Sequence, residues 1–356
     1  MRAEVADAER IVVKIGSSSL TDETGHLAPG RVAELAEHVA ALHARGTKVV
    51  LVSSGAIASA LLPLGLTRRP GDLETQQAAA AVGQGILVRH YSDAFAVHGL
   101  LVAQILLTAG DLQDGRSYRN ALNTVSRLLR LGVIPVINEN DTVATSEIRF
   151  GDNDRLAALV AHLVRADALV ILSDVDGLYT AHPAEPGAEL IRRVPDIAQL
   201  TADTSRVGSR VGTGGMSTKV EAARIATSGG VSVVLAHADQ LRRALDGQEV
   251  GTFFDATGRR RPRRMLWLAH AAEVRGVLRI DEGAERALGQ GRASLLAAGI
   301  IEIVGEFEAG DPVDIIGLSG DLLARGLVDC AAQTLARRVC DGGLAVHRDL
   351  LIEMVQ

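Results

Sequence analysis

The sequence predicts an α/β protein in which a mainly parallel sheet is sandwiched by helices and followed by a small β-rich domain. Three observations carry this. Short β-branched runs alternate with helical stretches through about residue 270, polar clusters stand where several of the runs end, and beyond residue 272 the helical stretches give way to short strand-like pieces and turns. Alternation of this kind needs crossover connections, hence parallel strands covered on both faces. Ligands of such sheets collect at the carboxyl ends of the strands.

Taken in order, IVVKIG (11–16) is the first strand, and a helix from Arg31 to Arg45 leads into KVVLVS (48–53). A long helical stretch from Glu74 to Val97 precedes GLLVAQILL (99–107), and a helix from Ser117 to Leu131 precedes GVIPVIN (132–138). Next come a helix from Asn153 to Arg165, the strand ALVILS (168–173), a helix beginning near Gly215 and the strand VSVVLA (231–236). The polar clusters at strand ends are Gly16-Ser17-Ser18-Ser19, Ser53-Ser54-Gly55, Asn138-Glu139-Asn140-Asp141 and Ser173-Asp174. The proline-containing basic run DATGRRRPRR (255–264) reads as a connector, and RMLWLAH (264–270) as one last strand. VLRID, IIEIVGEF, DPVDIIG and LAVHR then supply the β-rich domain. The expected division is 1–256, a connector with the last strand over 257–272, and 273–356.

A chain of 356 residues suits about two domains, and 47% hydrophobic residues supply a large core. Aromatics make up only 3%, too few for base-stacking platforms. No apolar run reaches the ~18 residues of a membrane span, and the N-terminus is charged, so a soluble, cytoplasmic protein is expected. Residues 273–356 hold eight arginines, no lysine and 14 acidic residues, so the whole formal charge of −6 lies there. That domain is poorly suited to a phosphate backbone, which is bound through Lys and Arg. Cys330 and Cys340 show no framework or zinc spacing and read as buried, inert thiols. The ten histidines have no metal-ligand spacing, and His38 and His43 miss the i, i+4 pattern of a helical metal pair.

Only three of the 37 basic residues are lysines: Lys14, Lys48 and Lys219. In a chain that otherwise uses arginine, a retained lysine marks a place where a compact point charge is wanted. Lys14 closes the first strand. Lys219 closes VGTGGMSTK (211–219), where glycines and a helix start offer an anion exposed N–H groups and a favourable dipole. The stretch fits neither the P-loop, because Met216, Ser217 and Thr218 separate its last glycine from the lysine, nor the dinucleotide pattern, because Ser217 replaces the third glycine. Lys48 opens a strand and reads as an ordinary solvated position.

The densest polar segment is PVINENDTVATSEIRFGDND (135–154), which runs off a strand through Asn138, Glu139, Asn140, Asp141, Glu147, Asp152, Asn153 and Asp154 into a helix. Capping accounts for one of these residues. The remainder read as a binding loop for a small polar, amino-bearing molecule. Lysines with glycine-rich loops on one side and a carboxylate-rich loop on the other are what phosphoryl transfer requires, since the protein mainly positions two substrates and stabilises spread negative charge.

IVVKIGSSSL, VLVSSGAIASA, QAAAAVGQGILV, PVINENDTVATSEIRFGDND, LSDVDGLYT and GTGGMSTK together resemble the glutamate 5-kinase branch of the amino acid kinase family. GVLRIDEGAERALGQG, SLLAAGI and LAVHRD resemble the PUA domain that many such enzymes append. The resemblance implies the amino acid kinase fold, with ATP phosphorylating the side-chain carboxylate of L-glutamate on the way to proline. It implies that Lys14 contacts the transferring group, Lys219 neutralises charge from the nucleotide side and Asp154 holds both lysines. Ser54, Asp141 and Asn153 match glutamate-binding positions. Lys14, Ser173, Asp174, Thr213, Gly214, Gly215, Met216, Ser217, Thr218 and Lys219 match ATP-binding positions, and Gly16 and Gly55 let backbone amides approach the phosphoryl group. Mg2+ is expected chiefly on the nucleotide, with no protein metal site, and proline as a feedback inhibitor of a dimer or tetramer. Ser17 and Ser173 stand where many relatives have Thr, and Arg149 where Lys is frequent. Two competing readings are another acceptor on the same fold and an RNA-binding or RNA-modification factor resting on Arg259, Arg260, Arg261, Arg263 and Arg264; nucleic acid is disfavoured by the acidic domain that follows.

Overall fold

In the computed structural model, which describes residues 2–22, 26–143, 153–200, 215–257, 262–289, 293–340 and 343–354, the chain forms two compact units. The first comprises 1–112 and 116–261, the second 262–356 with 113–115.

The first unit is built on strands β1 (Arg10–Ile15), β2 (Lys48–Ser53), β3 (Val102–Leu107), β4 (Ile134–Glu139), β5 (Ala168–Ser173), β6 (Arg193–Val194), β7 (Ser232–His237) and β8 (Thr252–Phe254), in the order β3-β4-β2-β1-β5-β7-β8-β6. All neighbours are parallel except β7 and β8. β1 is central, with Lys14 level with Val52 of β2 and Ile171 of β5. The helices between the strands include α1 (Pro29–Ala44), α2 (Ala56–Leu61), α3 (Leu73–Ala96), α4 (Gly115–Arg130), α5 (Asn153–Val164) and α6 (Met216–Ser228).

Alternation along the strands sorts the two faces. Ile11, Val13 and Ile15 of β1, Val49 and Leu51 of β2, and Val170 and Leu172 of β5 share one core with Val32, Leu35 and Val39 of α1 and Leu87, Tyr91 and Phe95 of α3. Lys14 alternates with them and meets α5. Helix α3 packs on α2 so closely that a Cβ on Gly83 would fall 1.8 Å from Ala56 O, which only glycine permits. No helix among the described residues is long and apolar enough to cross a membrane.

The second unit carries β9 (Gly276–Ile280), β10 (Leu295–Leu296), β11 (Ile300–Gly305), β12 (Pro312–Ile316), β13 (Leu322–Val328) and β14 (Leu344–Glu353) in the order β10-β14-β13-β12-β9-β11. Only the β9–β12 pair is parallel. Leu278, Ile280, Val313, Ile315, Ala324 and Val346 lie in its core.

Two sequence expectations are corrected here. The stretch read as a last strand is a helix, α7 (Arg263–His270), preceded by Pro262. Met265, Leu268 and Ala272 recur at helical spacing and pack with Leu327 and Ile352, a period hidden by the surrounding apolar residues. Cys330 and Cys340 are joined as a disulfide rather than standing as free thiols. The chain leaves β13 and doubles back through a short helix, Ala332–Ala336, which brings their Cα atoms to 6.2 Å, within disulfide reach.

Helices α5 and α6 meet around His162, which is 2% exposed. Its Nε2 lies 3.3 Å from Ala226 O, and its ring fills the space that a Cβ on Gly229 would need. Burial pushes the imidazole down to about 4. The unfolded chain therefore takes up a proton below about pH 6.5 that the folded chain refuses. Stability from this source is complete above that pH and falls by up to ~3 kcal/mol as pH drops to about 4. Urea midpoints measured between pH 7 and 4.5 should decline, and His162→Leu should flatten the decline; an equal slope in the variant would contradict this account.

Candidate active site

The carboxyl ends of β1, β2, β4 and β5 carry the polar clusters, and α5 and α6 begin beside them. Lys14 is 3% exposed and reaches the first turn of α5, where its Nζ lies 2.5 Å from Asp154 Oδ1. Lys219, one turn into α6 and 7% exposed, lies 3.3 Å from Asp154 Oδ2. Thr218 Oγ1 shares its one proton between the same carboxylate oxygen at 3.1 Å and Gly215 O at 2.9 Å, which ties the start of α6 to the start of α5. Asp154 is itself fully buried. The two lysines and Asp154 together carry one net positive charge, in surroundings where water screens little.

The neighbour of Asp154 turns the other way. Asn153 Nδ2 shares its two N–H groups among three acceptors, Ser53 O at 2.9 Å, Ser54 Oγ at 2.8 Å and Asn138 Oδ1 at 3.0 Å, which gathers the ends of β2 and β4 around the first residue of α5. Successive helix residues differ by about 100° in direction. Asn153 therefore serves the β2–β4 side while Asp154 serves the lysines. Asp141 lies just beyond β4, in the turn after Asn140.

Gly55 stands at φ +98°, a left-handed conformation that favours glycine, and opens α2 directly after Ser54. Gly16 has an ordinary φ; a Cβ there would sit 3.8 Å from Lys14 Nζ, so the glycine keeps space beside the ammonium. Its N–H donates to Leu172 O at 3.3 Å. At the end of β5, Ser173 Oγ donates to Asp174 Oδ1 at 3.0 Å. Gly215 caps α6, Met216 is buried and Ser217 is exposed at its start. Thr213, Gly214, Arg149, Glu147 and Asp152 lie outside the described residues, as do Arg259, Arg260 and Arg261 of the basic run. Lys48 is exposed at the opposite end of β2.

Sequence reasoning missed two residues of α3. Gln84 accepts from Asn138 Nδ2 at 2.8 Å, and the Tyr91 hydroxyl lies 2.8 Å from Ser53 Oγ. Burial raises the Tyr91 phenol above its ordinary pKa. The available signal was a glutamine at position 84, in helical phase with the apolar Leu87, Tyr91 and Phe95.

Among proteins of known family, residues 9–237 match the model of the amino acid kinase family and residues 276–348 that of the PUA domain. A glutamate 5-kinase of Salinispora arenicola is 56% identical over 94% of this chain and 91% of its own. Those of Cutibacterium acnes (55%, covering 92% and 83%) and Streptomyces coelicolor (54%, covering 98% and 94%) are similarly close. The chain belongs to the amino acid kinase family and carries a C-terminal PUA domain.

Removing Asp154 would leave two buried ammonium groups facing each other. Breaking a buried charge pair from one side costs about 3–5 kcal/mol. Asp154→Ala should lower the thermal midpoint clearly; a variant as stable as the parent at pH 7 would contradict the geometry.

Proposed function

We propose that the protein transfers the terminal phosphoryl group of ATP to the side-chain carboxylate of L-glutamate, giving L-glutamyl 5-phosphate on the route to proline. The carrying observation is the pair of buried lysines, Lys14 from a strand end and Lys219 from a helix start, held by one carboxylate. The named relatives supply the substrate.

In this reading Lys14 meets the transferring group from the centre of the sheet and Lys219 from the nucleotide side, with Asp154 fixing both. The glutamate carboxylate is already ionised at neutral pH, so its oxygen attacks phosphorus without a general base. As the new bond from the carboxylate oxygen to the γ-phosphorus forms, the bond from that phosphorus to the bridging oxygen breaks, and ADP leaves with that oxygen and its electron pair. Asp154, engaged with both lysines, is a charge anchor and takes no proton from the acceptor. Ser54, Asp141 and Asn153 hold glutamate beside Gly55; Ser173, Asp174 and residues 213–219 hold ATP. Magnesium fits as a companion of the nucleotide, because Asp154 already serves two lysines. When bound, it spreads the phosphate charge. Feedback inhibition by proline at or near the glutamate site, a dimeric or tetrameric assembly and a cytoplasmic location belong to the same proposal and rest on family resemblance.

The test is ATP-dependent trapping of the acyl phosphate with hydroxylamine in the presence of magnesium, with glutamate, aspartate, N-acetylglutamate or no acceptor. Product with glutamate alone is expected. Product only with another acceptor would replace the substrate, and silence with all of them from folded protein would overturn the reading. A preorganised charge aimed at the transition state is worth about a hundred- to thousandfold in rate. Lys14→Ala and Lys219→Ala should each lose turnover on that scale while Lys48→Ala stays close to the parent; equal losses at all three would contradict the assignment. Asp141→Ala should raise the glutamate requirement with that for ATP little changed, and a change for ATP alone would misplace the residue.

A further inference from the structure

The amide of Asn138 is fixed in direction by its neighbours. Its Oδ1 accepts from the backbone N–H of Glu139 at 2.9 Å, a donor that cannot reverse. The same oxygen accepts from Asn153 Nδ2, and Asn153 is oriented in turn because that nitrogen faces the carbonyl of Ser53. Asn138 Nδ2 must therefore donate, and Gln84 Oε1 is the acceptor it finds at 2.8 Å. Asn138 is 1% exposed and Gln84 8%, so water is a poor substitute for either partner.

Helix α3 supports the same corner a second time. Two turns beyond Gln84, Tyr91 bonds Ser53, whose carbonyl is one of the three acceptors of Asn153 Nδ2. Gly83, next to Gln84, allows α3 its close approach to α2, the helix that starts at the glycine after Ser54. The helix thus braces both strand ends that converge on Asn153. Gln84 supplies the link that runs through Asn138.

We propose that Gln84 is a positioning residue for the acceptor substrate, acting through Asn138 on Asn153. This rests on the reading of Asn153 as part of the glutamate site. Without the Gln84 acceptor, a buried N–H of Asn138 is left unpaired, and the amide relieves this by turning away from Asn153. The acceptor side loosens while the lysines on Asp154, which α3 does not touch through any of these bonds, stay in place.

The experiment is steady-state hydroxylamine trapping with glutamate and ATP varied separately, on the full chain. Gln84→Met, similar in length but lacking the acceptor, should raise KM for glutamate about tenfold and leave kcat and KM for ATP within about twofold. Gln84→Glu, which keeps an acceptor oxygen, should return KM to within about threefold of the parent. In an Asn153→Ala background, Gln84→Met should add less than about twofold, because its effect passes through the missing side chain. An unchanged glutamate KM in Gln84→Met, equal increases for both substrates, failure of Gln84→Glu to rescue, or full multiplication of the two effects would each overturn the inference. Should Gln84→Met fail to fold, Gln84→Asn, which withdraws the amide by one methylene, stands in with the same expected pattern. A parent chain inactive with glutamate would overturn the underlying substrate assignment, an outcome distinct from an active parent and an indifferent Gln84.

Discussion

A buried carboxylate shared by two buried lysines is the interaction on which the first unit depends. Asp154 brings together the end of β1, the start of α5 and the second turn of α6, three segments separated by more than 200 residues of chain. Burying any one of these charges alone would cost several kcal/mol, and together they are tolerable only when the geometry is met. β1 lies between β2 and β5, and from there Lys14 reaches the point where both helix starts converge. Apolar residues of the opposite face, among them Ile11 and Leu172, pack into one core behind the triad.

The second constraint is division of labour at one helix start. Asn153 gathers β2 and β4, and Asp154 gathers the lysines, so under the proposed assignment the acceptor side and the nucleotide side share a single turn of helix. Relative placement of donor and acceptor is then a property of helix geometry rather than of loop conformation. That suits a reaction in which positioning and charge supply most of the rate.

Much of this was legible in the sequence because its chemistry leaves compositional traces. Lysine is so scarce that Lys14 and Lys219 stand out, and the parallel strands announce themselves as β-branched runs ending in Gly, Ser, Asn and Asp. What stayed hidden depends on partners distant in the chain. Gln84 looks like any polar helix residue until Asn138, 54 positions away, is placed against it. The helix Arg263–His270 has apolar residues between its buried ones, so strand and helix periods are not separable by eye. The disulfide depends on a reversal after β13 that spacing alone does not encode.

The adjacency of Asn153 and Asp154 also bears on how this chain can vary in length. Both side chains leave one turn of helix, so the strands each one faces are fixed by their adjacency at the start of α5. A single insertion between those two residues would rotate one of them by about 100° and detach half of the site from the other. At that peptide bond, chain length is therefore set by geometry and not by the preferences of the residues on either side.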